Sequence, residues 1–128
     1  MHKIFLIIGT ILAGLAVALG AFGAHGLKKM VGEETISTYQ TGVQYQMYHA
    51  LALLLLGVLY ERSQNSLLSF AGIFFIAGIV LFSGSLYLLV SLKAMNKIAT
   101  SGIGIMTPIG GLLFIIGWIF LLISLIKK

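Results

Sequence analysis

Four long apolar stretches occupy nearly all of this 128-residue chain, and they limit its possible folds more than any other feature. The stretches cover residues 4–24, 43–60, 67–92 and about 103–126, and none contains Asp, Glu, Lys or Arg. A hydrocarbon core about 30 Å thick needs roughly 20 apolar helical residues to cross it. The pattern therefore predicts an all-α integral membrane protein, a bundle of four transmembrane helices with both termini on the same side.

The composition argues against a soluble domain and a β-barrel. Hydrophobic residues make up 59% of the chain and charged residues 9%, and its mean hydropathy is +1.10. An average soluble domain carries about 25% charged residues, and barrel strands alternate apolar and polar residues. Runs such as residues 51–56 are instead continuously apolar. We predict one transmembrane domain, residues 1–128, with helices at about 4–24, 39–60, 67–92 and 103–126.

The net charge of +5 indicates membrane anchoring rather than nucleic-acid binding. No basic patch with interleaved aromatic residues occurs, and the basic residues flank the apolar stretches. We call the side with both termini face A and the opposite side face B. Face A carries Lys3, Arg62, Lys127 and Lys128, and face B carries Lys28, Lys29, Lys93 and Lys97. Because orientation follows the bias in Lys and Arg, this tie leaves both orientations open.

The sequence contains signals for the first residues of two helices. Glu33 and Glu34 favour a helix N-terminus, so the second helix is predicted to begin before the bilayer. Thr107 and Pro108 are a typical cap and first helical residue. The fourth helix therefore either starts there, or extends from residues 103–106 through a proline kink.

Uncharged polar side chains converge in the half of the bundle next to face B. The candidate polar site consists of His25, Gln44, Tyr45, His49, Ser83, Ser85, Tyr87 and Thr107. His49 is the one ionisable residue expected at membrane depth, where such residues face the bundle or a cavity. Two interpretations stay open for it: a neutral, hydrogen-bonded residue, or a proton-responsive or ligand-contacting group. We assign packing to Trp118.

No cofactor, metal site or catalytic residue is predicted. The chain has no cysteine, which excludes thiolate catalysis and cysteine-ligated metals. Haem ligation by His25 and His49 is disfavoured, because His49 lies about 10 Å deeper along its helix.

Four motifs, one on each helix, carry a family resemblance. They are GAFGAHGL at residues 20–27, YQMYHALAL at 45–53, FSGSLYLL at 82–89, and MTPIGGL at 106–112 with GW at 117–118. The chain resembles the YgdD/YwdK-like family of small bacterial four-helix integral membrane proteins of unknown function. The resemblance implies a multi-pass protein of the bacterial plasma membrane, and it brings no activity with it.

Three functional hypotheses follow. The preferred one is a non-enzymatic packing, lipid-interacting or envelope-homeostasis protein, because no nucleophile–base pair or carboxylate pair assembles at depth. The alternative is a small-solute transporter or channel, working as an antiparallel dimer with His49 as the proton-responsive group. The third is an enzyme acting on lipid or quinone, with His49 as acid–base and Tyr45 as orienter. The expected partners are the lipid bilayer and further copies of the chain; the sequence identifies no small-molecule ligand.

Overall fold

Helices account for most of the computed structural model, which describes residues 2–97 and 101–127. The α-helices are α1 (Lys3–Ala24), α2 (Glu33–Arg62), α3 (Ser66–Gly78), α4 (Gly84–Ala94) and α5 (Ser101–Ile126). A π-helical segment, Ile79–Ser83, joins α3 to α4 without a break, so Ser66–Ala94 forms one continuous span. Among the described residues, four helical segments are thus long and apolar enough to cross a membrane. The prediction of an all-α, four-helix membrane protein is confirmed, and an even number of spans returns both termini to face A.

Polar residues at the helix ends explain where the helices begin. The Nδ1 atom of His2 accepts a hydrogen bond from the Phe5 amide at 3.3 Å and caps α1. Asn65 Oδ1 accepts from the Leu68 amide at 3.0 Å and caps α3. The acidic pair Glu33 and Glu34 forms the first turn of α2, where negative charge is favourable.

Pro108 lies inside α5 rather than at its start. Of the two possibilities that the sequence leaves open, the structure therefore has the helix extending through the proline. Proline lacks the N–H that would bond to the carbonyl of Gly104, and its ring crowds that same carbonyl. Thr107 does not begin the helix and is free to bond to a neighbouring span.

The bundle is organised as two close helix pairs. α1 packs mainly against α2, and α5 packs mainly against α3 and the π-helical segment. Buried Leu53, Leu56, Leu68, Ala71 and Phe75 form the main core between α2, α3 and α5. Small residues at the interfaces between membrane helices let the helix backbones approach one another closely.

Candidate functional site

His49 is a buried residue near the middle of α2, and both of its ring nitrogens have protein partners. Nδ1 lies 2.8 Å from the Tyr45 carbonyl oxygen, and Nε2 lies 3.0 Å from Nε1 of Trp118 on α5. A carbonyl only accepts and an indole N–H only donates. Nδ1 therefore carries the hydrogen, Nε2 accepts from Trp118, and the imidazole is neutral.

Aromatic rings hold the imidazole in place. Phe114 of α5 stacks on His49 with a centroid separation of 3.6 Å and an interplanar angle of 8°. Phe75 of α3 meets it edge-on at 5.2 Å. Because both nitrogens and one ring face are occupied, His49 functions here as a junction between α2, α3 and α5.

A cavity of about 580 Å³ opens beside this junction, between α2 and α5. We call it the groove; it is lined by Tyr45, His49, Phe82, Pro108, Gly111, Leu112, Phe114, Ile115 and Trp118. Tyr45 is 38% exposed and Trp118 43% exposed. The groove therefore opens on the outer surface of the bundle, at the depth where lipid chains surround it.

The α5 side of the groove follows one face of the helix. Its outer residues Pro108, Leu112, Ile115 and Trp118 recur at three- and four-residue spacing. From Pro108 to Trp118 is ten residues, or about 15 Å along the helix axis. The groove is thus elongated along the helices.

Hydrogen bonds between helices engage a second set of polar residues. Gln46 Nε2 donates to the Leu12 carbonyl of α1 at 2.8 Å, and the Tyr87 hydroxyl of α4 donates to Gln46 Oε1 at 2.6 Å. The Tyr39 hydroxyl donates to the Leu19 carbonyl of α1 at 2.6 Å. These bonds tie α1, α2 and α4 together.

Three hydroxyl groups in the half of the bundle next to face B also connect spans. Ser83 Oγ donates to the Gly42 carbonyl at 2.7 Å. Ser85 Oγ donates to the Phe82 carbonyl at 2.9 Å and lies 2.5 Å from Thr107 Oγ1. A hydroxyl has one hydrogen, so Thr107 is the donor in the Ser85–Thr107 bond. The residues Ser83, Ser85 and Thr107 thus fasten the π-helical region to α2 and α5.

The structure divides the residues predicted for the polar site. Tyr45 and His49 line the groove, while Ser83, Ser85, Tyr87 and Thr107 form the interhelical bonds described above. His25 is exposed at the end of α1, where its Nδ1 bonds to the Ala21 carbonyl of the same helix. Gln44 is exposed on α2.

Sequence reasoning left Gln46, Phe114 and Trp118 out of the site, although the sequence contains a signal for Gln46. In the structure, His49 lies sixteen residues after the start of α2, and Trp118 lies seventeen after the start of α5. Both helices run from face B, so the two residues are at similar distances, about 24 and 26 Å, from the ends of their helices at that face; the helix starts predicted from the sequence do not match them in this way. Gln46 shares its helix face with Gly42 and Ala50 at four-residue spacing. No comparable signal marks Phe114 among the many apolar residues of α5.

Within residues 2–97 and 101–127, no three His, Asp or Glu side chains come together as a metal-binding group. The residues that line the groove offer aromatic contact, apolar burial and hydrogen bonding by Tyr45.

Comparisons with known proteins agree with this architecture. A family model described as "Protein of unknown function (DUF423)" matches residues 19–111. UPF0382 membrane protein YwdK of Bacillus subtilis (strain 168) is 45% identical over 126 residues, which are 98% of each chain. UPF0382 membrane protein SAB0533 of Staphylococcus aureus (strain bovine RF122 / ET3-1) is 46% identical over 125 residues, 98% of this chain and 97% of that protein. No solved structure matches the chain.

Proposed function

The chain belongs to the DUF423 family of membrane proteins of unknown function, and we propose that it is a non-enzymatic protein that binds the chain of a membrane lipid in its groove. The observation that carries this proposal is the aromatic-lined cavity of about 580 Å³ between α2 and α5. The membrane we assign to it is the bacterial plasma membrane. Binding in the groove requires one copy of the chain, so the homo-oligomer that the sequence leaves open is not needed.

The shape and lining of the groove suit a lipid chain. The groove runs for about 15 Å along α5, and transmembrane helices lie within a few tens of degrees of the bilayer normal. Acyl and prenyl chains extend in the same direction. The volume is in the range of about 300–1,000 Å³ that small-molecule sites occupy. Leu112 and Ile115 supply an apolar wall, and both side chains are more than half exposed.

The hydrogen bonding of His49 supports a binding role over catalysis or proton transport. An acid–base group needs a nitrogen that is free to exchange a proton with substrate or water. Here Nδ1 bonds to Tyr45 and Nε2 accepts from Trp118. Protonation at Nε2 would point a second donor at the indole N–H and break the α2–α5 contact. The transporter hypothesis with His49 as proton carrier is therefore less well supported.

Lipid retention in the groove is testable by native mass spectrometry of protein released from a mild detergent. Gly111→Leu places a side chain in the groove, because Gly111 lines it and a Cβ added there would lie at an ordinary contact distance of 3.8 Å from the Phe82 ring. Gly14→Leu is the matched control: a Cβ there meets nothing within 4 Å on the outer face of α1. We expect wild type and Gly14→Leu to retain one lipid, and Gly111→Leu to retain at least fivefold less.

Equal retention in the three proteins would contradict the proposal, because a lipid bound elsewhere on the bundle is not sensitive to Gly111. Circular dichroism and elution volume of Gly111→Leu should match those of Gly14→Leu, which separates loss of the groove from loss of the fold.

A further inference from the structure

We propose that the lipid held in the groove is a quinone, a neutral lipid with a planar ring, a carbonyl oxygen and a prenyl chain. The inference rests on the proposed function and names the ligand class of the same groove. It is carried by one juxtaposition: Tyr45, whose hydroxyl has no hydrogen-bond partner among the residues that the structure describes, lies among aromatic rings near the centre of the membrane.

Tyr45 is the hydrogen-bond donor that the groove leaves unused. Across residues 2–97 and 101–127, its carbonyl bonds to His49 Nδ1, but its hydroxyl takes part in no hydrogen bond. His49 and Trp118 satisfy each other through the bond between Nε2 and the indole N–H. A polar group at hydrocarbon depth is costly without a partner. A ligand with a carbonyl oxygen would supply the acceptor.

The depth of Tyr45 decides which lipids supply an acceptor there. α2 has 30 residues and is about 45 Å long, and it is charged at both ends, by Glu33 and Glu34 and by Arg62. A core about 30 Å thick leaves about 15 Å of this helix outside it, and an equal division between the two charged ends centres the helix on the bilayer. Tyr45 then lies about 4 Å from the midplane.

Phospholipids do not carry an oxygen at that depth. Their ester carbonyls lie at the edge of the hydrocarbon core, about 15 Å from the midplane. The Tyr45 side chain leans toward the N-terminus of α2, which moves the hydroxyl toward face B by less than one side-chain length. The acceptor must therefore belong to an uncharged molecule that dissolves in the core.

The aromatic surroundings of the Tyr45 side chain favour a planar ring as the carrier of that oxygen. The Tyr45 ring lies 4.8 Å from the ring of Phe82 and 6.3 Å from that of Phe114. These separations are within the 4.5–7 Å of favourable aromatic pairs. Gly111 leaves the α5 side open beside them. Leu112 and Ile115 extend the groove as an apolar path for a chain.

Trp118 provides the readout, because it is the single tryptophan of the chain and lines the groove. A naphthoquinone with a two-unit prenyl chain should quench its fluorescence saturably in the full-length, detergent-solubilised protein. Tyr45→Phe removes only the hydroxyl and should weaken quinone binding about threefold to tenfold, the range of one net hydrogen bond. Tyr48→Phe is the matched control, an exposed tyrosine outside the groove, and should bind as wild type does.

A prenyl hydrocarbon of the same length, without the ring, separates this inference from the proposed function. It should displace the quinone from wild type, but with a lower affinity than the quinone itself has. Because it has no carbonyl oxygen, its affinity should be the same for wild type and for Tyr45→Phe. If the hydrocarbon binds and the quinone binds no better, or if Tyr45→Phe leaves quinone affinity unchanged, the quinone assignment is overturned while lipid binding stands. If neither compound binds saturably and no lipid is retained in native mass spectra, both fail.

Discussion

Gly110→Ala tests how tightly α5 is pressed against the π-helical segment. A Cβ at Gly110 would overlap the backbone nitrogen of Phe82 and would lie 2.8 Å from its Cα. The neighbouring Gly111 is the natural control, since a Cβ there would be 3.8 Å from the Phe82 ring. Both glycines lie in the interior of the same helix, so a gain in helix propensity of about 1 kcal/mol applies equally to both.

The size of the effect follows from the overlap. Carbon atoms attract best at about 3.5–4.0 Å, so the Cα of Phe82 is about 0.7 Å too close to a new Cβ at Gly110. A rotamer change does not relieve this contact, because the opposing atoms are backbone. α5 would have to move away, and a gap of about 0.5–1 Å forfeits a quarter to a half of each dispersion contact at that point. Overpacking typically costs about 1–3 kcal/mol. We expect Gly110→Ala to be about 2–3 kcal/mol less stable than Gly111→Ala.

The assay is reversible unfolding in mixed micelles of a mild detergent and dodecyl sulfate, followed by the fluorescence of Trp118. Gly111→Ala should unfold at or slightly above the denaturant fraction of wild type, and Gly110→Ala clearly below it. Free energies of unfolding within about 0.5 kcal/mol of each other would refute the close backbone contact between α5 and Phe82.

Two further predictions concern the polar contacts. Gln46→Leu removes a bond to α1 and leaves the Tyr87 hydroxyl without its acceptor, so it should lower the free energy of unfolding by about 1–3 kcal/mol. Gln44→Leu on the exposed face should change it by less than about 0.5 kcal/mol, and equal losses for the two glutamines would count against the bridge. Trp118→Phe should cost about 1–2 kcal/mol by circular dichroism, with a coupling of about 0.6–1.7 kcal/mol to His49→Phe. Additive effects in that double-mutant cycle would mean that the bond between the two rings contributes nothing.

The sequence by itself determined that this protein lies in a lipid membrane and that it is built from four transmembrane helices. Apolar stretches of membrane length without a charged residue have one stable solution, helices that satisfy their own backbone in lipid. The acidic pair Glu33 and Glu34 likewise marked the start of α2, because a helix N-terminus attracts negative charge whatever packs around it. These are local properties, and they need no knowledge of which helix neighbours which.

Only the tertiary structure decided which polar residues meet. Gln44 and Gln46 are the same residue type and lie two residues apart, yet one is exposed and the other joins α1 to α4. From the sequence alone, Trp118 is interpreted as a packing residue. In the structure α5 lies beside α2, and the indole N–H of Trp118 donates a hydrogen bond to His49. The groove, too, exists only because the fold brings Tyr45 of α2 and Gly111 of α5 to the same cavity. Rotation of a helix about its axis is set by its partners, and in a lipid solvent nearly every face of such a helix is apolar enough to turn either way.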